Sequence, residues 1–160
     1  MAGDKGTKVH SAIADLIDGK TVLMTDQYEN PSTEKPEELS LEEYECLLSF
    51  QSWWEITKPK PISREIIVWN DEEKYAGTID FICEIDGMPW VIDFKTSKNI
   101  WMNHIIQVSA YKKPLTGKFK NCSLGLLQLG YQKAKRGWKF SEAEDRYDLF
   151  LVAKKIWEED

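Results

Sequence analysis

The sequence predicts an α/β fold in which helices flank a mixed sheet. Three observations carry that expectation. Apolar stripes of helical period open and close the chain, three β-rich runs follow one another between residues 62 and 96, and a helical segment at 99–113 leads into a further apolar β-rich run. The 160 residues are 42% hydrophobic and 30% charged. That composition suits a single globular domain over 1–160 and excludes a disordered, collagenous or coiled-coil chain.

The elements follow in order. Thr7 caps a helix expected to reach about Asp18, with Val9, Ile13, Leu16 and Ile17 on its inward stripe and Gly19 as its stop. His10 shares that face. Residues 25–39 are polar, hold Pro31 and Pro36, and read as a mobile loop. Ser40-x-x-Glu43 matches a capping box, so Ser40 opens a second helix that carries Tyr44, Leu47, Leu48 and Trp54 and stops before Pro59. Strands are expected at Ile62–Trp69, Tyr75–Ile85 and Met88–Thr96, the last two joined through Asp86-Gly87, a strong two-residue hairpin signal. A helix over Asn99–Lys113 ends at Pro114. Cys122–Tyr131 reads as a buried strand and Gln132–Gly137 as a turn. Ser141, with Glu144 three residues on, is expected to start a last helix reaching about Trp157. The crossover through 99–113 should be right-handed and lay its strand parallel to the third.

Register arithmetic makes the second hairpin informative. With Asp86-Gly87 as the loop, Cys83 faces Trp90 and Phe81 faces Ile92 on an apolar face. The opposite face sets Asp80 directly against Asp93, with Lys95 two residues further on. A non-hydrogen-bonded pair at that point brings the Cα atoms to about 4.5 Å. Opposed like charges destabilise neighbouring strands. Either Lys95 compensates in a salt bridge on a solvated face, or the pair forms a hard oxygen site for Mg²⁺ or Mn²⁺. If Asp71–Lys74 is the first hairpin's loop, Glu65 faces Asp80, either as a third acid or as an exposed strand residue.

Charge is unevenly distributed. The net charge is −6, yet the 47 residues from Phe94 to Phe140 hold ten Lys or Arg and no Asp or Glu. Such a segment either docks a polyanion, releasing counterions from its phosphates, or is a basic surface balancing an acidic one. The exclusion of acids favours a phosphate-bearing partner. Cys46, Cys83 and Cys122 are odd in number and widely spaced, which argues against a disulfide framework, a zinc knuckle or an iron–sulfur cluster. No apolar run is long enough for a membrane helix, and the first residues lack a signal-peptide core. A cytoplasmic location with no membrane partner is expected.

Four motifs occur in a telling order. They are His10 within KVHSAIADLIDGK, Gly77-Thr78-Ile79-Asp80, Ile92-Asp93-Phe94-Lys95-Thr96, and Gln107-x-x-x-Tyr111. In this arrangement the chain resembles the RecB-like exonuclease branch of the PD-(D/E)xK nuclease superfamily, over about two thirds of its length. The resemblance implies a restriction-endonuclease-like αβββαβ core and metal-dependent hydrolysis of DNA phosphodiesters, in recombination, repair or phage DNA processing. It implies Asp80, Asp93 and Lys95 as catalytic residues. It implies one or two Mg²⁺ or Mn²⁺ ions on His10, Asp80, Asp93 and the carbonyl of Phe94, and substrate contacts from Gln107 and Tyr111. The cysteines of cluster-bearing relatives are missing, so a stand-alone domain without an iron–sulfur cluster is expected. DNA is the expected partner, as single strand or duplex ends, with a homo-oligomer or a recombination or replication protein as further possibilities. The alternative is a non-catalytic DNA-binding or accessory module on the same fold. His104 lies one turn before Gln107 as a possible DNA contact. Trp53, Trp54, Trp101, Tyr131 and Trp138 are candidates for base stacking or for core.

Overall fold

The computed structural model describes residues 3–159. It is an α/β structure with a mixed five-stranded sheet, a separate two-stranded hairpin and, among the described residues, four α-helices. The order is α1 (Gly3–Ile17), β1 (Gln27–Asn30), β2 (Lys35–Glu38), α2 (Leu41–Thr57), β3 (Lys60–Asn70), β4 (Tyr75–Ile85), β5 (Met88–Lys95), α3 (Met102–Lys112), β6 (Ser123–Leu129), β7 (Trp138–Ala143) and α4 (Tyr147–Glu159). The five-stranded sheet runs β3-β4-β5-β6-β7. No helix among the described residues is long and apolar enough to cross a membrane.

Two compact units share the chain. The first comprises Met1–Pro59, Phe94–Lys98 and Leu127–Phe140; the second comprises Lys60–Asp93, Asn99–Leu126 and Ser141–Asp160. In the first, α1 packs on α2 and on β1. Its core is aromatic. Phe50 stands 5.8 Å from Trp53 and 5.4 Å, edge-on, from Phe94, and Trp53 meets Phe140 at 5.8 Å between ring centroids. Such tilted and edge-on pairs place ring edges against the electron-rich faces. The capping box at Ser40 forms as the sequence predicts: Ser40 Oγ accepts from the Glu43 N–H and Glu43 accepts from the Ser40 N–H. Glu43 also meets Lys8 of α1 at 3.0 Å, and Lys8 Nζ donates to the Glu38 carbonyl. Both side chains of this ion pair are only 7% exposed.

The segment 25–39, expected as a mobile loop, is instead the β1–β2 hairpin, paired from Gln27↔Glu38 to Asn30↔Lys35. Side-chain hydrogen bonds take the place of apolar alternation here. Asn30 Oδ1 accepts from the Ser32 N–H inside the turn, Asn30 Nδ2 donates to Glu37, Glu34 closes the loop at φ 57°, and the Tyr28 hydroxyl donates to Asp15 of α1.

In the second unit the hairpin registers follow the arithmetic. Cys83↔Trp90 and Phe81↔Ile92 pair across β4 and β5, turning through Asp86 (φ 51°) and Gly87 (φ 77°). Two successive left-handed residues are what a two-residue turn matched to strand twist requires. Across β3 and β4, Asn70↔Tyr75 and Ile66↔Ile79 keep the expected offset. Pairing runs from Ile66 to Arg64, and Glu65 between them is left-handed at φ 51°. Ile79 and Ile82, three residues apart, both join the core of Val68, Val91, Val108, Cys122, Leu124 and Leu126.

The C-terminal expectation needs correction. Ser141 lies inside β7, and α4 begins only at Tyr147. Trp138 and Ala143 are buried, so this run extends the sheet to a fifth strand. Ahead of the helix, Asp145 Oδ1 accepts from the Tyr147 N–H, and the Arg146 N–H donates to the buried Ser109 Oγ of α3.

Truncating one member of a buried ion pair strands the other charge. Lys8→Met should lower unfolding stability by about 3–5 kcal/mol, seen as a lower urea midpoint with an unchanged slope. A loss under about 1 kcal/mol would show that water reaches Glu43.

Candidate functional site

Four of the expected site residues gather in the second unit. Asp80 and Asp93 follow the last paired positions, Phe81↔Ile92, on β4 and β5. Gln107 and Tyr111 project from α3, which packs on β4. The reason for their meeting is Gly77. A Cβ built on Gly77 would lie 2.2 Å from Tyr111 Cε1 and 2.9 Å from its Cδ1. The Tyr111 ring thus rests on bare backbone, a distance no side chain at 77 allows. A second tie sits two residues earlier on β4, where the Tyr75 hydroxyl donates to the Ala110 carbonyl at 2.8 Å.

The seat puts the phenol within the field of both aspartates. Burial foremost, then the Asp93 and Asp80 carboxylates, push the Tyr111 pKa up to about 12; a hydrogen bond with Gln107 works in the opposite direction. Tyr111 is therefore a neutral donor at physiological pH. Asp93 is 6% exposed, and although other groups engage the residue, its buried Oδ2 faces no hydrogen-bond donor. Asp80 is half-buried. The Glu65 carboxylate meets Arg64 at 3.0 Å and is largely exposed. The structure thus gives Glu65 the exposed-residue reading, with a basic neighbour.

The remaining residues belong to the first unit. The His10 Nδ1–H donates to the Gly6 carbonyl, and the ring stands 6.0 Å from that of Phe94. That hydrogen bond selects the tautomer whose Nε2 carries a lone pair. Phe94 is buried on Phe50, and Lys95, half-buried, ends β5. The next stretch is held by a residue that no sequence motif marks. Gln128 of β6, 2% exposed, donates through Nε2 to the carbonyls of Ser97 and Lys98. A glutamine inside an otherwise apolar strand was the available signal.

As donor types, carboxylates suit Mg²⁺ or Mn²⁺, and Mn²⁺ also accepts an imidazole nitrogen. Among the described residues, no three His, Cys, Asp or Glu side chains form a ready-made metal cluster. His104 serves the backbone, since its Nδ1 accepts from the Trp101 N–H at the start of α3. Trp53 and Trp138 are core, whereas Trp101 is exposed. The basic segment is partly committed to internal contacts. Lys118 pairs with Glu84 and holds that carboxyl below its usual range, Lys112 pairs with Asp145, and Lys113, Arg136 and Lys139 lie over Tyr147, Trp138 and Tyr131. No protein-family model matches the chain, and no curated protein matches it.

Two outcomes are expected. Gly77→Ala should cost about 1–3 kcal/mol through overpacking, and much of that loss should vanish in a Tyr111→Ala background, measured as a double-mutant cycle. Asp93→Asn should lower the Tyr111 titration midpoint from about 12 toward the ordinary value near 10, followed by NMR of labelled tyrosine. Because the folded value exceeds the unfolded one, the stabilisation is present below about pH 10 and lost as pH rises through the folded value. An unmoved midpoint would separate Asp93 from the phenol.

Proposed function

We propose that the chain is a metal-dependent DNA nuclease of the PD-(D/E)xK superfamily, RecB-like branch, built on a restriction-endonuclease-like core. The observation that carries this reading is the convergence of Asp80 and Asp93 on Tyr111, itself seated on Gly77. Residues of three of the four motifs thus contribute to the surroundings of that phenol.

In this reading Asp80 and Asp93 would hold Mg²⁺ or Mn²⁺, and the resemblance adds His10 and the Phe94 carbonyl as ligands. When bound, the ion polarises a phosphoryl oxygen and acidifies a water. Lys95 orients the attacking water and offsets the charge that gathers on the phosphoryl oxygens. Water adds to phosphorus, the bond to the leaving sugar oxygen breaks, and that oxygen takes up a proton. Tyr111, kept neutral, donates a hydrogen bond to the DNA backbone. Gln107 holds its phenol in place. Gln128 restrains the segment after Lys95, so the ammonium group needs little reorganisation.

End-labelled digestion of single- and double-stranded, linear and circular DNA with Mg²⁺ or Mn²⁺ tests the reading. Metal-dependent degradation is expected, falling at least about a hundred-fold in Asp80→Asn, Asp93→Asn and Lys95→Ala. Added Mg²⁺ should also lower the Tyr111 titration midpoint, because a cation between the carboxylates cancels their field. DNA binding without cleavage under any divalent ion would favour the accessory-module reading.

A further inference from the structure

The turn from β6 into β7 carries four exposed cations, Lys133, Lys135, Arg136 and Lys139. Among the described residues, no carboxylate pairs with any of them. The turn is closed on itself. The Tyr131 N–H donates to the Gly137 carbonyl at 2.8 Å, and the Gly137 N–H donates to the Ala134 carbonyl at 3.0 Å. It is also seated on α2 of the same unit. A Cβ on Gly130 would lie 2.9 Å from Cys46 Sγ, and one on Gly137 would lie 2.6 Å from Ser49 Oγ. The Trp138 indole N–H donates to Ser52 Oγ. Two of the cations are held in turn. The Arg136 guanidinium lies 3.7 Å from the centre of the Trp138 ring, its Nε–H donates to the Trp138 carbonyl, and Lys139 lies over Tyr131. The two terminal nitrogens of Arg136 have no protein acceptor among the described residues.

We propose that this turn clamps the phosphate backbone of the DNA. The inference rests on the nuclease reading and adds an anchorage that none of its motifs contains. A stacked arginine with an open fork is pre-organised for two parallel hydrogen bonds to one phosphate. The three lysines beside it are point charges that displace condensed counterions. A protein partner fits this surface less well. Interfaces between proteins are built around apolar and aromatic anchors and are depleted in lysine. Here Trp138 is buried, Tyr131 and Ala134 are half-buried, and the exposed side chains are Gln132 and the four cations. Charge is what this surface offers, and phosphates are bound by charge without regard to base sequence. Placement agrees. Gln128, near the end of β6, donates to the carbonyls of Ser97 and Lys98, just past the end of β5 at Lys95. The turn therefore leaves the sheet at the end where β5 stops, and a strand clamped there lies at the same end of the unit as Lys95.

The test follows binding of a fluorescein-labelled DNA duplex to the full chain by anisotropy, across a salt titration with Ca²⁺ in place of Mg²⁺. Cleavage is read separately with Mg²⁺ and Mn²⁺. Lys133→Gln, Lys135→Gln and Lys139→Gln combined should weaken binding at least about ten-fold and make the slope of log K against log salt shallower by about two to three. The control removes the same charge elsewhere, as Lys35→Gln, Lys60→Gln and Lys155→Gln combined, all at exposed positions. It should move the slope by less than about one. Arg136→Lys keeps the charge and loses the fork, so it should weaken binding about three-fold or more with the slope unchanged. Far-ultraviolet circular dichroism checks the fold of each variant. The inference is overturned if the turn variant and the control have equal slopes. It is also overturned if polyglutamate displaces the duplex as well as unlabelled DNA does, which would assign the turn to an acidic protein. Metal-dependent cleavage with equal slopes removes the clamp and leaves the nuclease. Turn-dependent binding without cleavage under any divalent ion removes the nuclease and leaves the clamp. No binding to the duplex removes both.

Discussion

The contact between the Tyr111 ring and the backbone of Gly77 is the constraint on which the candidate site depends. It is a steric condition before it is a chemical one. A ring lying on backbone requires the absence of a Cβ, and that absence lets α3 approach β4 closely enough for its phenol to enter the field of two carboxylates. The glycine of one motif and the tyrosine of another are thus two halves of one packing contact. Asp80 lies three residues beyond the glycine, and across from it on β3 Glu65 is left-handed. Sheet irregularities of this kind re-aim a side chain locally, and they concentrate beside functional sites.

Much of the sheet was legible because turn chemistry specifies register. Asp86-Gly87 selects a two-residue loop, the loop sets which residues oppose each other, and a slip of one would bury the opposite face. The capping box was legible for a related reason: its four-residue spacing satisfies specific backbone donors. The β1–β2 hairpin and β7 were not. The first lacks apolar alternation and is held by Asn30, Tyr28 and Asp15, whose pairing depends on tertiary placement. The second contains Ser141 and Glu144 at capping-box spacing, and burial of Trp138 and Ala143 outweighed that local signal.

The site was legible as a set of residues, less so as an arrangement. Spacing alone put Gln107 on the same helix face as Tyr111, and the strand register runs as far as Phe81↔Ile92, next to Asp80 and Asp93. What spacing omits is the support. Gln128 looks like a polar interruption until its two carbonyl partners are known, and Lys8 looks like a solvated lysine until it is found buried against Glu43. His104 shows the reverse case, a candidate ligand contact that serves the helix start.

The division of the chain has a practical corollary for genetic dissection. Each compact unit is assembled from three separate stretches, and one of the five boundaries between them falls between Asp93 and Phe94, inside β5. No single cut yields either body whole. Deletion series, the usual way to assign roles to portions of a protein, would ruin both at once here, so point substitutions are the only clean scalpel.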